Sequence, residues 1–140
     1  MKKIVTLLFL FGAITLSAQS TTYAGIYELK FKTEKNELLE YTLTLNKDGD
    51  FLFHFYRDLQ TVPEENRYGK GKWSSKDNYI YFHADQNDVN EEYTLDFNKA
   101  KARFSSKHPR DTSSRVIKPT LIFYEATIFW VKGLKLPKVE

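Results

Sequence analysis

Tyr41-Thr42-Leu43-Thr44-Leu45-Asn46-Lys47-Asp48-Gly49-Asp50-Phe51-Leu52-Phe53-His54-Phe55-Tyr56 is the stretch whose reading decides the fold. Tyr41, Leu43 and Leu45 alternate with Thr42 and Thr44, the period-two pattern of a half-buried strand. Asn46-Lys47-Asp48-Gly49 reads as a tight turn, with Gly49 free to take a positive φ. Phe51 to Tyr56 is then a second strand, apolar on both faces. Phe51, Phe53 and Phe55 lie on one face, and Leu52, His54 and Tyr56 on the other.

Working outward, the same period recurs. Gly25–Lys32 sets Tyr27, Leu29 and Phe31 against Glu28, Lys30 and Lys32. Tyr68–Ser74 carries Gly69, Gly71 and Trp73 on one face and Lys70 and Lys72 on the other. Lys76-Asp77-Asn78 turns the chain into a strand over Tyr79–Ala84. Tyr93–Phe97 and Ala100–Ser105 read as a further short-linked pair, and Leu121–Tyr124 and Ile128–Lys132 as the last strands. The count is eight, or nine if the chain breaks near Glu125-Ala126. No window places apolar residues at helical spacing over ten positions, so the fold class is all-β. The connections Thr33–Glu40, Arg57–Arg67, Asp85–Glu92 and Ser106–Thr120 are long and follow odd-numbered strands, while the others are short. In up-and-down order the long ones gather at one rim. The sequence therefore predicts an antiparallel up-and-down (meander) β-barrel of eight to nine strands, with a mouth at that rim.

Ahead of the strands, residues 1–18 carry Lys2 and Lys3, an apolar run from Ile4 to Leu16, and the small-residue exit Leu16-Ser17-Ala18. That is the pattern of a secretory signal peptide, with an apolar run too short to span a bilayer. The expectation is an exported chain, periplasmic or secreted, with a single barrel domain over 19–140 and no transmembrane segment once the leader is cut. Losing Lys2 and Lys3 from the 21 basic residues leaves them balanced to within one against the 18 acids, which argues against nucleic acid as a partner. Zero cysteines exclude a disulfide scaffold, a thiol nucleophile and a zinc–thiolate site.

Three short motifs carry a resemblance. They are Gly25-Ile26-Tyr27 opening the first strand, Asp48-Gly49-Asp50-Phe51 in the second turn, and Gly71-Lys72-Trp73 followed by a turn and Tyr79–Phe82. Over most of Tyr23 to Phe97 the chain resembles the lipocalin-like small barrel domains of secreted bacterial proteins. Lipocalins proper carry Gly-x-Trp on the first strand and a helix after the barrel; here Tyr27 replaces the tryptophan, and no long helix is legible after Gly133. The resemblance implies a meander barrel that holds a small apolar ligand.

The inward positions are crowded with large side chains from Tyr27 to Phe104, enough to fill an eight-stranded lumen. Gly69 and Gly71 mark a bend, or a place where a ring or ligand meets the backbone. Two functional classes follow. A continuous apolar cavity of about 300 Å3 or more at the long-loop rim signals a binding module for a small apolar or amphipathic molecule. Its tail would lie on Phe31, Phe55 and Trp73, and an anionic head would meet Arg110 or Arg115 in the basic stretch Lys99–Lys118. A solid core signals instead a protein that docks an envelope protein or polysaccharide. The docking surface would then be the outer rings and lysines His54, Tyr56, Lys70, Lys72, Tyr79, Tyr81 and His83.

Catalysis finds no footing. His54 and His83 sit on strands separated by Tyr68–Ser74, with no acid at a fixed offset, and His108 is in a loop. The oxygen-rich loop Asp85–Glu92 departs from the calcium-hand pattern, with Val89 at its fifth position and Asn90 where glycine belongs. No Gly-x-Ser-x-Gly occurs, and Gly69-Lys70-Gly71 lies within a strand rather than after one. No catalytic residue, metal ligand set or cofactor is predicted, so the expectation is a non-enzyme.

Overall fold

The computed structural model describes residues 22–139, so the signal peptide expected over 1–18 lies outside the described residues. β1 (Gly25–Lys32) pairs with β2 (Leu38–Leu45), which pairs with β3 (Asp50–Asp58) across the Asn46–Gly49 turn. The turn closes with Gly49 N–H donating to Asn46 O at 3.0 Å and Asn46 N–H to Asp50 O at 2.9 Å. Gly49 takes a φ of 95°, the left-handed value that its missing Cβ permits. β4 (Glu65–Lys76) continues the meander into β5 (Tyr79–His83) through Asp77 and Asn78, with φ of 53° and 69°. Two consecutive positive values make a primed hairpin turn, whose twist matches that of the flanking strands. β6 (Lys101–Ser105), β7 (Thr120–Glu125) and β8 (Lys135–Pro137) complete one sheet in the order β1 to β8, every neighbouring pair antiparallel. The sheet curls until its ends meet. Tyr27 bridges Lys138, and Val139 N–H donates to Ile26 O at 2.7 Å, so the barrel is nearly closed.

The core is a stack of rings. Phe97 packs on Phe53 at 4.7 Å, Phe51 on Phe82 at 5.0 Å, and Phe82 on Phe123 at 5.2 Å between centroids. Tyr27, Leu43, Ile80, Leu121 and Leu136 close around them with almost no exposure. Gly69 and Gly71 are where this stack presses on the wall. A Cβ on Gly69 would lie 2.7 Å from the Phe97 ring, and one on Gly71 2.3 Å from His83 O.

Two expected strands are not in the ladder. Tyr93–Phe97 runs beside the first half of β4, which β5 is too short to cover, with Leu95 N–H donating to Tyr68 O at 3.0 Å. Its alternation is real, since Leu95 and Phe97 are buried, but the chain then turns at Asn98-Lys99 to drop Phe97 into the lumen. Ile128–Lys132 is a turn, closed by Val131 N–H on Ile128 O and Leu134 N–H on Val131 O. Gly133, at φ 90°, redirects the chain into β8, which the sequence reading placed too early.

Removing Tyr93–Phe97 from the strand count inverts the parity of everything after β5. The connections 33–37, 59–64, 84–100 and 126–134 follow odd strands and share one end, which is the mouth. The long connection 106–119 follows β6 and so lies at the opposite end, beside the tight turns. The expectation that it joins the mouth is therefore corrected.

Candidate functional site at the mouth of the barrel

The inward face of three strands runs on past the ring stack to the mouth. On β3 the row Phe51, Phe53, Phe55 continues to Arg57, and on β4 the row Trp73, Gly71, Gly69 continues to Arg67 and Glu65. The register sets Tyr41 opposite Phe55, Leu39 opposite Arg57, Phe55 opposite Arg67, and Arg57 opposite Glu65. Phe129 and Trp130 come over from the 126–134 connection. Together these eight residues line a cavity of about 440 Å3. Its floor is Trp130, whose ring lies 5.1 Å from Phe55 and 6.1 Å from both Tyr41 and Phe53. Below that floor the lumen is solid, so the cavity is a cup in the mouth and not a shaft down the barrel.

Charge in the cup is carried by three groups. Arg57 and Arg67 each form an ion pair with Glu65, one on each carboxylate oxygen, so two cations share one anion. The guanidinium ends are partly exposed, while Arg57 Nε is shielded from solvent and has no hydrogen-bond partner among the described residues. Tyr41 stands between the rings and the charges. Burial pushes its hydroxyl above the ordinary phenol value, and the Arg57 charge pulls partly the other way, so it stays a protonated donor.

The structure does not bring the five sequence-expected ligand residues together. Phe55 lines the cup. Phe31, opposite Leu39 at the end of β1, is at the same rim but half exposed and outside the cavity wall. Trp73 is at the far end, donating from Nε1 to Asn46 O at 2.9 Å and plugging the bottom of the barrel. Arg110 and Arg115 belong to the 106–119 connection at that same far end. There Arg115 pairs with Asp111 at 2.8 Å. Hydrogen bonds from Ser113, aided by Arg115, hold the Asp111 carboxyl below its ordinary value.

The outer-face residues do share one surface, because β3, β4 and β5 are neighbours. Most of them have partners within the fold. His54 stacks flat on Tyr68, 4.5 Å between centroids at 4°, and bonds Asn66 Oδ1 at 2.8 Å. Lys70 sits 4.6 Å over the Tyr93 ring, Lys72 pairs with Asp50, and His83 meets Ser74 Oγ at 3.3 Å. Tyr79 packs edge-on against Tyr124, while Tyr56 and Tyr81 are partly exposed. In the Asp85–Glu92 loop, carboxylate oxygens accept backbone N–H groups, Asp85 from Asn87 and Asp88 from Asp85. No group of three potential metal ligands exists among the described residues.

Sequence reading missed Arg57, Glu65, Arg67, Phe129 and Trp130. For the first three the signal was present: one more step of the alternation on β3 and β4 puts them inside. No family model, curated protein or solved structure matches this chain, so the cup is interpreted on its own geometry.

Proposed function

We propose that this chain is an exported, lipocalin-like binding module that takes a small amphipathic molecule into the cup at its mouth. The observation that carries this reading is the cup itself. It is walled by aromatic and aliphatic side chains, holds a few convergent polar groups, and at about 440 Å3 falls within the size of small-molecule sites. Because Phe97 and Phe53 fill the lumen beneath Trp130, the ligand lies across the mouth and its apolar part is short.

The chain has two tryptophans, Trp130 in the floor of the cup and Trp73 at the far end. Titration with anilinonaphthalene sulfonate, read as energy transfer from tryptophan, is expected to saturate. Trp130→Phe should remove most of the transfer. The solid lumen supports a second reading, in which the outer face of β3, β4 and β5 docks an envelope protein or polysaccharide. A titration without saturable transfer sinks the cup and leaves that alternative.

A further inference from the structure

We propose that Arg57 and Arg67 form an oxyanion-binding fork, and that the ligand of the cup is an amphiphile with a single carboxylate or phosphate head. This rests on the proposed binding function of the mouth and names the class of molecule it takes.

Charge counting gives the first argument. Glu65 offers two oxygens, and each already serves one guanidinium. Each guanidinium has five N–H donors in a planar fork, so most of that capacity is left over, and the cup keeps a net positive charge. Asp58, the acid that follows Arg57 in the chain, is engaged in its own turn, accepting the Gln60 N–H at 3.0 Å.

Arg57 Nε gives the second argument. A buried N–H with no partner is costly, and a purely structural ion pair has no reason to tolerate it. A small rotation of the guanidinium onto an incoming oxygen would give the fork the bond it lacks. Placement gives the third. The charged groups stand at the outer edge of the same inward rows whose deeper members are Phe55 and Tyr41, with Trp130 beneath them. A head at the arginines therefore puts an attached tail on the rings.

The test compares two probes with the same ring system, anionic anilinonaphthalene sulfonate and uncharged phenylnaphthylamine. Wild-type protein should bind the anion about tenfold or more tighter, with a preference that shrinks as salt rises. Arg57→Gln and Arg67→Gln should each abolish most of that preference, weakening the anionic probe severalfold more than the uncharged one. Arg57→Lys, which keeps the charge but not the fork, should fall between. Glu65→Gln frees both guanidiniums and should tighten the anion severalfold, which a merely structural ion pair would not do. Octyl phosphate should displace the anionic probe at concentrations where inorganic phosphate does not.

Equal affinity for the two probes, unmoved by the arginine variants, overturns the fork while the cup stands as a binding site. Displacement by inorganic phosphate as readily as by octyl phosphate overturns the amphiphile and makes the site one for free anions. Saturable binding of neither probe overturns both the fork and the cup.

Discussion

Gly69 and Gly71 show how single residues set the bore of this barrel. Each faces inward on β4, where a neighbour occupies the space a side chain would need. At Gly69 the neighbour is the Phe97 ring; at Gly71 it is the His83 carbonyl of the paired strand. Gly69→Ala should cost about 1–3 kcal/mol, because a packed ring has to shift. Gly71→Ala should cost more, since it forces a backbone carbonyl and not a side chain to move. Urea unfolding of the two variants checks the order, and equal midpoints would refute it. Tyr27 makes a second prediction. Its hydroxyl donates to Tyr23 O at 2.6 Å, and burial, reinforced by Tyr23, raises it well above its ordinary value near 10. A group whose folded value is raised adds stability below its unfolded value and loses it as pH climbs toward the folded one. Stability should therefore begin to fall as pH nears about 10 and keep falling above it, and Tyr27→Phe should flatten that fall. A urea-midpoint profile with the same slope in both proteins would count against this. At this scale the sequence was largely legible. For the two glycines the sequence left a bend and a close approach both open, and the structure shows close approach, whereas the inward path of Arg57 and Arg67 was cut short by treating both as loop.

At the scale of elements, period-two alternation proved a good detector of inward side chains and a poorer detector of strands. Tyr93–Phe97 alternates and Ile128–Val131 is a continuous apolar run, and both deliver buried groups, yet neither enters the ladder. The reason is that hydrophobic burial asks only that a side chain reach the core, while a strand also needs a partner for every backbone group. Tyr93–Phe97 has one side of β4 to lean on and little beyond it. Ile128–Lys132 crosses the mouth, where it covers the ring stack with Trp130 and Val131. Phe97 should accordingly behave as a core residue despite its loop address. Phe97→Ala is expected to lose about 3–5 kcal/mol, and Tyr93→Ala, on the outer surface, about 1 kcal/mol or less. Comparable losses for the two would mean that the segment is held by its backbone and not by the ring.

For the whole molecule, topology was legible down to the sense of every hairpin through β5, and counting Tyr93–Phe97 as a strand then carried the basic loop to the wrong end. One parity error thus placed Arg110 and Arg115 at the mouth, whereas the strand order puts their connection at the opposite end. The closed shape has a further consequence, because its seams are unequal. β2, β3 and β4 pair over eight residues at each junction, whereas β7 and β8 share three pairs and β8 meets β1 through one bridge and the Val139–Ile26 bond. Opening that last seam breaks few hydrogen bonds but uncovers Leu136, which is fully buried. Local opening should therefore start there. In native-state hydrogen exchange the Val139 amide should exchange through a local opening well below the global unfolding free energy, while core amides of β3 such as Phe53 require global unfolding. Leu136→Ala should destabilise the whole barrel by about 2–5 kcal/mol and bring the two classes closer together, because the global free energy falls while the seam is already weak. If Val139 and Phe53 exchange at the same opening energy in the wild type, the barrel closes as one cooperative unit and the seam argument fails.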